Sequence, residues 1–409
     1  MKCRHCQSSL SHIFLDLGGA PPSNYYLSSE QLHSAETYLP LRLYVCHVCW
    51  LVQTADYAQA SDLFSSDYAY YSSTSKTWLK HAKQYADSIT GRLGLNGNSL
   101  VVEIASNDGY LLKNFVAAKI PCIGVEPTQG TAHQAELLGI PVINEFFGAE
   151  TAKKLISNQG RRADLVCANN VYAHVPDIND FTIGLKTCLA ESGTITLEFP
   201  HLLQLLLNNQ FDTVYHEHFS YLSLIAVNTI FKKFGLKIYD VEELSTHGGS
   251  IRVYGCHEDD SKEVSKSVLD LIERELGYGL NSLSAYRDFQ LKANRIKNDF
   301  LYFLIEQRKM GKKIAAYGAA AKGNTLINYA GIKRDLIDFV CDAAMSKQGK
   351  FMPGSHIPIL QPDAIFQNKP NFVLILPWNI STEVMEQLQD IRAWGGKFFI
   401  ALPEIKVFE

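Results

Sequence analysis

Seven consecutive residues, Tyr215-His216-Glu217-His218-Phe219-Ser220-Tyr221, gather two imidazoles, a carboxylate and two phenols into the densest titratable cluster of the chain. Imidazole changes charge near neutral pH and a phenol donates a hydrogen bond, so the cluster is equipped to remove a proton and to stabilise an oxyanion as it forms. Two bland alternatives use the same residues: a His-x-His metal ligand pair and an exposed polar turn. His174, after an apolar run, and the segment Tyr68-Ala69-Tyr70-Tyr71-Ser72-Ser73 are candidates to join the cluster from elsewhere in the fold. Thr246-His247-Gly248-Gly249-Ser250 is a polar turn that either lines the same cleft or simply closes a hairpin.

A second constellation is metal-binding. Cys3-x-x-Cys6 and Cys46-x-x-Cys49 can each present two thiolates from a tight turn, and together they make the tetrahedral thiolate set that zinc prefers. Four protein ligands leave no open position, so the expected zinc is structural. His5 and His47 sit inside the knuckles as substitutes for one thiolate each.

Two small-residue turns follow apolar runs. In Val101 to Gly109 an acid, Glu103, ends a strand-like run, and Ser106, Asn107, Asp108 and Gly109 form the turn before a helix. That is where a parallel sheet binds a nucleoside, although the GxGxxG of a dinucleotide site is absent. One strand later Glu126-Pro127 places a carboxylate suited to bridging two ribose hydroxyls, and the pair of acids points to S-adenosylmethionine. Asn169 and Asn170, after a third run, add an edge to the pocket. In the second turn Gly318, Lys322 and Asn324 open a helix, combining free amides, a helix dipole and an ammonium into an anion site without Walker A spacing. Lys347 lies in the polar loop after the next strand.

These groups need scaffolds, and the patterning supplies them. Apolar runs at 100–104, 122–125, 164–168 and 194–199 alternate with helical segments, beginning with an amphipathic helix at 77–90, and a second alternation has runs at 313–317, 336–341, 372–376 and 397–401. Both read as doubly wound α/β sheets. Between them Phe289, Ala293, Ile296, Phe300 and Phe303 mark a long amphipathic helix. The expected organisation is a small zinc domain at 1–67, a donor-binding domain at 68–257, a helical linker at 258–310 and a nucleotide-binding domain at 311–409.

Composition sets the outer limits. The 409 residues are 46% hydrophobic and 20% charged, which fits several globular cores and not a disordered or disulfide-scaffold chain. With 38 Lys plus Arg against 42 Asp plus Glu the net charge is −4, which offers no bulk field for nucleic acid or anionic lipid. A zinc-knuckle nucleic-acid regulator would need a basic stripe, and only Lys2, Arg4 and Arg42 lie near the knuckles. Neither a signal peptide nor a membrane span is visible, so the expectation is a cytoplasmic protein with no nucleic-acid or membrane partner. Cys122, Cys167, Cys188, Cys256 and Cys341 read as small core residues.

In order, the knuckles are followed by VVEIASNDGY (101–110), GVEPT (124–128), NNVYAHVPD (169–177), YHEHFSYLS (215–223), THGGSIRVY (246–254) and YGAAAKGNTLINY (317–329). Over essentially its whole length the chain thereby resembles the bacterial sugar C-methyltransferases that act at carbon 3 of nucleotide-linked 4-ketohexoses in deoxysugar pathways. The resemblance implies an amino-terminal zinc-binding domain, a central Rossmann-like class I methyltransferase domain and a carboxyl-terminal Rossmann-like α/β domain around one cleft, with S-adenosylmethionine and Zn2+ bound. It implies a dTDP- or GDP-linked 4-ketohexose as substrate and a monomer or weak homo-oligomer. By the same resemblance His218 is the base, Tyr215, Glu217 and His174 stand beside it, and Tyr70 reaches in, with Tyr68 and Tyr71 near-equivalent by spacing. Gly318, Lys322, Asn324 and Lys347 fall to the substrate's nucleotide. An O- or N-methyltransferase of a related nucleotide sugar would use the same donor site without an enolate. Ala105 departs from the glycine that relatives commonly carry, and is expected to fit at negative φ.

Overall fold

The structure, a computed structural model, describes residues 1–55, 57 and 71–409. Among the described residues the chain forms three sheets. The first is antiparallel, in the order β1 (His12–Ala20), β2 (Leu39–Val45), β3 (Val52–Thr54) and β9 (Ser220–Tyr221). Its last strand comes from the titratable cluster, far along the chain, with Ser220 opposite Gln53 and Tyr221 opposite Val52.

The central sheet runs β10 (Leu236–Leu244), β11 (Ser250–His257), β8 (Leu189–Pro200), β7 (Ala163–Asn169), β4 (Val101–Ile104), β5 (Cys122–Val125) and β6 (Val142–Ile143). β6, β5, β4, β7 and β8 are parallel, whereas β11 and β10 return antiparallel. The chain leaves β4 first to one side and then to the other, so the turn after β4 opens at the crevice where the strand order reverses. All four residues of β4 and of β5 are buried, as expected of strands covered on both faces. The covering helix Lys76–Leu93 starts where Ser75 accepts from the Trp78 amide and stops at Gly94, whose φ is +64°.

The third sheet runs β14 (Ile359–Leu360), β13 (Val340–Cys341), β12 (Ile314–Tyr317), β15 (Phe372–Ile375), β16 (Lys397–Ile400) and β17 (Lys406–Phe408), parallel except for β17. β12 is again flanked by strands reached in opposite directions, which places the 318–320 turn at a second switch point. The expected strand at 336–341 is pared to Val340–Cys341. Just before it, Asp338 spends its carboxylate on the Ile314 amide and on Arg308.

Two cores explain how the units are held. One joins the knuckle cysteines to the central sheet through residues such as Leu222, Ile230 and Ile251. The other joins β1 and β2 to the helix Phe289–Lys309 and the third sheet, with Phe289, Ala293, Ile296, Phe300 and Leu304 buried along one stripe. The helix expected as a linker is therefore a core element shared by the first and third sheets. Among the described residues no helix is long and apolar enough to cross a membrane.

Candidate active site and zinc centre

The two knuckles are local repeats of one turn. In each, the amide four residues after the first cysteine donates back to its carbonyl, Gln7 to Cys3 at 3.0 Å and Trp50 to Cys46 at 2.9 Å. Gln7 and Trp50 take φ of +64° and +61° to do so. The four sulfurs lie within 4.8 Å of one another, with Cys3–Cys49 and Cys6–Cys46 both at 3.5 Å. A tetrahedron of thiolates at 2.3 Å from zinc has edges of roughly 3.8 Å, so the set fits that ion. His5 and His47 are not in it: His5 Nδ1 pairs with Asn179 Oδ1 at 2.8 Å, and the His47 ring packs on His12. Through Arg4, which donates to the Pro176 carbonyl at 3.1 Å and lies over the Phe219 ring, the first knuckle also touches the segment after His174 and the titratable cluster itself.

At the end of β4 the backbone alternates into left-handed conformations, with φ of +56° at Ala105, +50° at Asn107 and +77° at Gly109. The expected negative φ at Ala105 is thus incorrect, and this alanine holds a conformation that glycine adopts without strain. Gly109 is required by space as well, since a Cβ there would lie 2.5 Å from Ile140 Cδ1. Glu126 braces the loop by accepting from the Asn107 amide at 3.0 Å and the Thr128 amide at 2.9 Å. Pro127 follows it at the strand end. Asn107 Oδ1 and Asp108 Oδ2 in turn accept from the amides of Ser72 and Ser73, at 2.9 and 3.1 Å.

Burial, then the neighbouring Glu126, lift the Glu103 carboxyl well above the usual carboxylate range, with a smaller push from Asp108; burial raises Glu126 too. Around these acids Glu103 Oε2, Ser106 Oγ, Asp108 Oδ1, Asn169 Oδ1 and both side-chain polar atoms of Asn170 are buried without a hydrogen-bond partner. Orphaned polar atoms beside clustered carboxyls at a sheet's switch point suit a polar ligand carrying positive charge, which is the chemistry of the amino group and sulfonium of S-adenosylmethionine.

The titratable cluster follows the 3₁₀ turn Phe211–Thr213. His218 is buried, its Nδ1 lies 2.9 Å from the Thr213 carbonyl and its Nε2 lies 2.7 Å from the Tyr215 hydroxyl. A carbonyl only accepts, so Nδ1 carries the proton, and in the neutral ring Nε2 accepts from the phenol. Burial, reinforced by His174, holds the imidazole well below its ordinary range and therefore neutral. The His174 ring stands edge-on at 4.6 Å, bonded to the Glu217 backbone, and burial brings it down to about 4. His216 turns away, its Nε2 3.3 Å from the Leu39 carbonyl, so the His-x-His metal pair is not formed. Tyr70 and Tyr68 lie outside the described residues. Tyr71 is described, and its hydroxyl approaches Gly130, beyond the Glu126 loop.

The third unit contacts both of the others here. Gly318 takes φ of +90°, and a Cβ there would meet Pro377 at 2.5 Å. Lys322 Nζ donates to the His247 carbonyl at 3.2 Å and lies over the Trp378 ring, while Lys347 Nζ donates to the Ala319 carbonyl at 2.9 Å. Asn324 is buried and donates to the Ser23 carbonyl at 2.6 Å, which fixes the loop carrying Asn24. The 246–250 turn closes the hairpin between β10 and β11, and Gly248 leaves room for Trp378, whose ring a Cβ would meet at 2.3 Å. Sequence reading missed Asn24, Asp212 and Trp378, whose hydrogen-bond partners lie far along the chain, where no local motif marks them.

Three family models cover nearly all of this architecture: a zinc binding domain at 3–64, a methyltransferase domain at 78–241 and a C-methyltransferase C-terminal domain at 245–403. The chain is 33% identical to the C-methyltransferase NovU of Streptomyces niveus over 406 residues, 99% of this chain and 96% of that one. The chain belongs to the C-methyltransferase family. This C-methyltransferase is an S-adenosylmethionine-dependent enzyme with a zinc-binding amino-terminal domain. Among solved structures it is partly similar to an S-adenosylmethionine-dependent methyltransferase of Clostridium acetobutylicum ATCC 824, 12% identical over 44% of this chain and 92% of that one, with a TM-score of 0.34. Magnesium protoporphyrin IX methyltransferase of Synechocystis PCC 6803 is 15% identical over 43% of this chain and 83% of that one, with a TM-score of 0.34.

Proposed function

We propose that this C-methyltransferase acts at carbon 3 of a nucleotide-linked 4-ketohexose, with His218 as the base. The observation that carries the reading is the neutral, Nδ1-protonated imidazole of His218, which leaves an unprotonated Nε2 facing the Tyr215 hydroxyl, with the His174 ring beside it. Carbon needs this arrangement more than oxygen or nitrogen does, because a C–H beside a ketone is weakly acidic and the enolate must be stabilised as it forms. S-adenosylmethionine, when bound by Glu103, Glu126 and the 105–109 turn, supplies an electrophilic methyl.

His218 Nε2 takes the carbon-3 proton, while Tyr215, displaced from Nε2 by the entering sugar, donates its hydroxyl to the ketone oxygen. His174 adds a second polar group beside that oxygen. Glu217, held by Asn24, receives a sugar hydroxyl or amine. Lys322 and Lys347, at the open ends of β12 and β13, hold the diphosphate, and Gly318 lets the backbone approach it. Holding carbon 3 and the methyl at near-contact distance is worth on the order of 7–11 kcal/mol. The division of labour follows the proposed units at 1–67, 68–257 and 311–409, joined by 258–310.

The test is deuterium exchange at carbon 3 of a dTDP- or GDP-linked 4-keto sugar in the presence of S-adenosylhomocysteine. Exchange by the intact enzyme and its loss in His218→Asn support the reading. Methylation of a hydroxyl or amine with no carbon-3 exchange assigns the O- or N-methyl reaction instead.

A further inference from the structure

The Thr213 carbonyl that accepts the hydrogen bond of His218 Nδ1–H belongs to a turn gripped on both sides by the carboxyl-terminal unit. On one side Trp378 Nε1 donates to Asp212 Oδ2 at 2.7 Å. On the other, Thr325 Oγ1 donates to the Val214 carbonyl at 2.7 Å. Three consecutive residues, 212, 213 and 214, therefore carry a bond to the third unit, the bond to the imidazole, and a second bond to the third unit. The turn is stiff within itself, because Thr213 Oγ1 donates to the Gln210 carbonyl at 2.7 Å and the Val214 amide to the Phe211 carbonyl at 3.1 Å. Phe211 also packs edge-on against Tyr329 of the helix Ala321–Tyr329.

A neutral imidazole chooses its tautomer by the partner its other nitrogen finds. Here that partner is a backbone oxygen whose position depends on Trp378 and Thr325. We propose that Trp378 and Thr325 are positioning residues for His218, so that docking of the carboxyl-terminal unit on the 211–214 turn selects the tautomer in which Nε2 is basic. Trp378 also lies under Lys322, its ring 5.1 Å from Nζ, so one side chain links the cationic end of the cleft to the base. The inference rests on the reading of His218 as base for its catalytic meaning, but its structural content concerns the imidazole alone.

Trp378→Phe keeps a ring under Lys322 and deletes the N–H; Thr325→Val keeps the shape and deletes the hydroxyl. The readout is the pair of ¹⁵N side-chain resonances of His218 in the full-length zinc-loaded protein, identified by their disappearance in His218→Asn. Both variants are expected to shift these resonances toward a mixture of tautomers and to lower kcat about tenfold or more without raising KM for S-adenosylmethionine. Asp212→Asn, which still offers Trp378 an oxygen acceptor, is expected to keep the wild-type resonances, and Asp212→Ala to lose them. Wild-type resonances in either Trp378→Phe or Thr325→Val, or a rate loss confined to KM, overturn the proposal. An active His218→Asn enzyme would sink the base reading separately, since the resonances are recorded without substrate.

Discussion

The side-chain amide nitrogen of Asn24 lies 2.7 and 2.9 Å from the two carboxylate oxygens of Glu217, bridging residues 193 positions apart. One donor group from the zinc-bearing unit thus fixes the carboxylate next to His218. The loop that carries Asn24 is itself fixed by Asn324 of the carboxyl-terminal unit, through the Ser23 carbonyl. A side chain of the central unit is oriented by the first unit, which is oriented by the third, so the setting of Glu217 depends on all three units.

Deleting this bridge should cost activity without unfolding the protein. A hydrogen bond to a charged group contributes about 1.5–3 kcal/mol, so Asn24→Ala is expected to lower kcat/KM about 10- to 100-fold. Asn24→Asp would place a second carboxyl against Glu217, and two such groups share one proton. That variant is expected to gain activity as pH falls and the bridge is remade by an O–H. Steady-state rates from pH 5 to 8 check both outcomes; wild-type rates in Asn24→Ala would leave Glu217 without the role assigned to it.

With His218 as the proposed base, its neutrality sets the expected acid limb of the rate. Because burial holds its imidazole well below the ordinary 6.5, the base stays unprotonated under mildly acidic conditions. The pH profile of kcat/KM is expected to stay level from pH 8 down past 6.5, and an acid limb at 6.5 or above would show that the imidazole is hydrated in the working enzyme.

Stability should respond to acid with two opposing signs. His174 and His247 are each brought to about 4 by burial, so between 4 and 6.5 the unfolded chain binds more protons and stability falls as pH falls through that window. Asp212 is raised to about 6 by burial, so between 3.8 and 6 the folded chain binds more protons and this carboxyl adds stability as pH falls. Urea unfolding at pH 7, 6 and 5 with zinc in excess is expected to show net loss, and a steeper loss in Asp212→Asn.

What the sequence made legible was whatever is local. The knuckles, the acid-ended strands and the Tyr215 to Tyr221 cluster are contiguous, and covalent spacing alone brings their groups together. The first sheet was not legible, because its fourth strand is two residues of that same cluster, Ser220 and Tyr221, whose hydroxyl and phenol gave a chemical signal where the backbone pairing gave none. The helix at 289–309 was visible by its period, but not its role as shared core, since periodicity shows an apolar stripe and not what covers it. Asp212 and Trp378 are 166 residues apart, and nothing in either neighbourhood announces the other.

Zinc removal is expected to reach the proposed active site, although the proposed steps do not use the metal. Arg4, inside the first knuckle, donates to the carbonyl of Pro176, two residues from His174, and β3, which follows the second knuckle, pairs with β9 beside His218. Structural zinc contributes on the order of 10 kcal/mol to the folding of its unit. Cys46→Ser is expected to lose bound zinc, measured by metal analysis, to lower the unfolding midpoint by about 10 °C or more, and to abolish carbon methylation. Full activity in a zinc-free protein would mean that the first sheet holds β9 without its staple.

Ala105 offers a gain instead of a loss. A non-glycine residue in the left-handed region costs about 1–2 kcal/mol, and glycine costs the folded state about 0.5–1 kcal/mol in backbone entropy. At φ of +56° the first quantity is the larger, so Ala105→Gly is expected to raise stability by roughly 0.5–1 kcal/mol. Ala105→Val, branched at Cβ, is expected to lower stability and to weaken S-adenosylhomocysteine binding, because the strained turn also carries Ser106, Asn107 and Asp108. Thermal unfolding of the three proteins checks the stabilities and calorimetric titration with S-adenosylhomocysteine the binding: a destabilised Ala105→Gly would show that the methyl group makes contacts worth more than its strain.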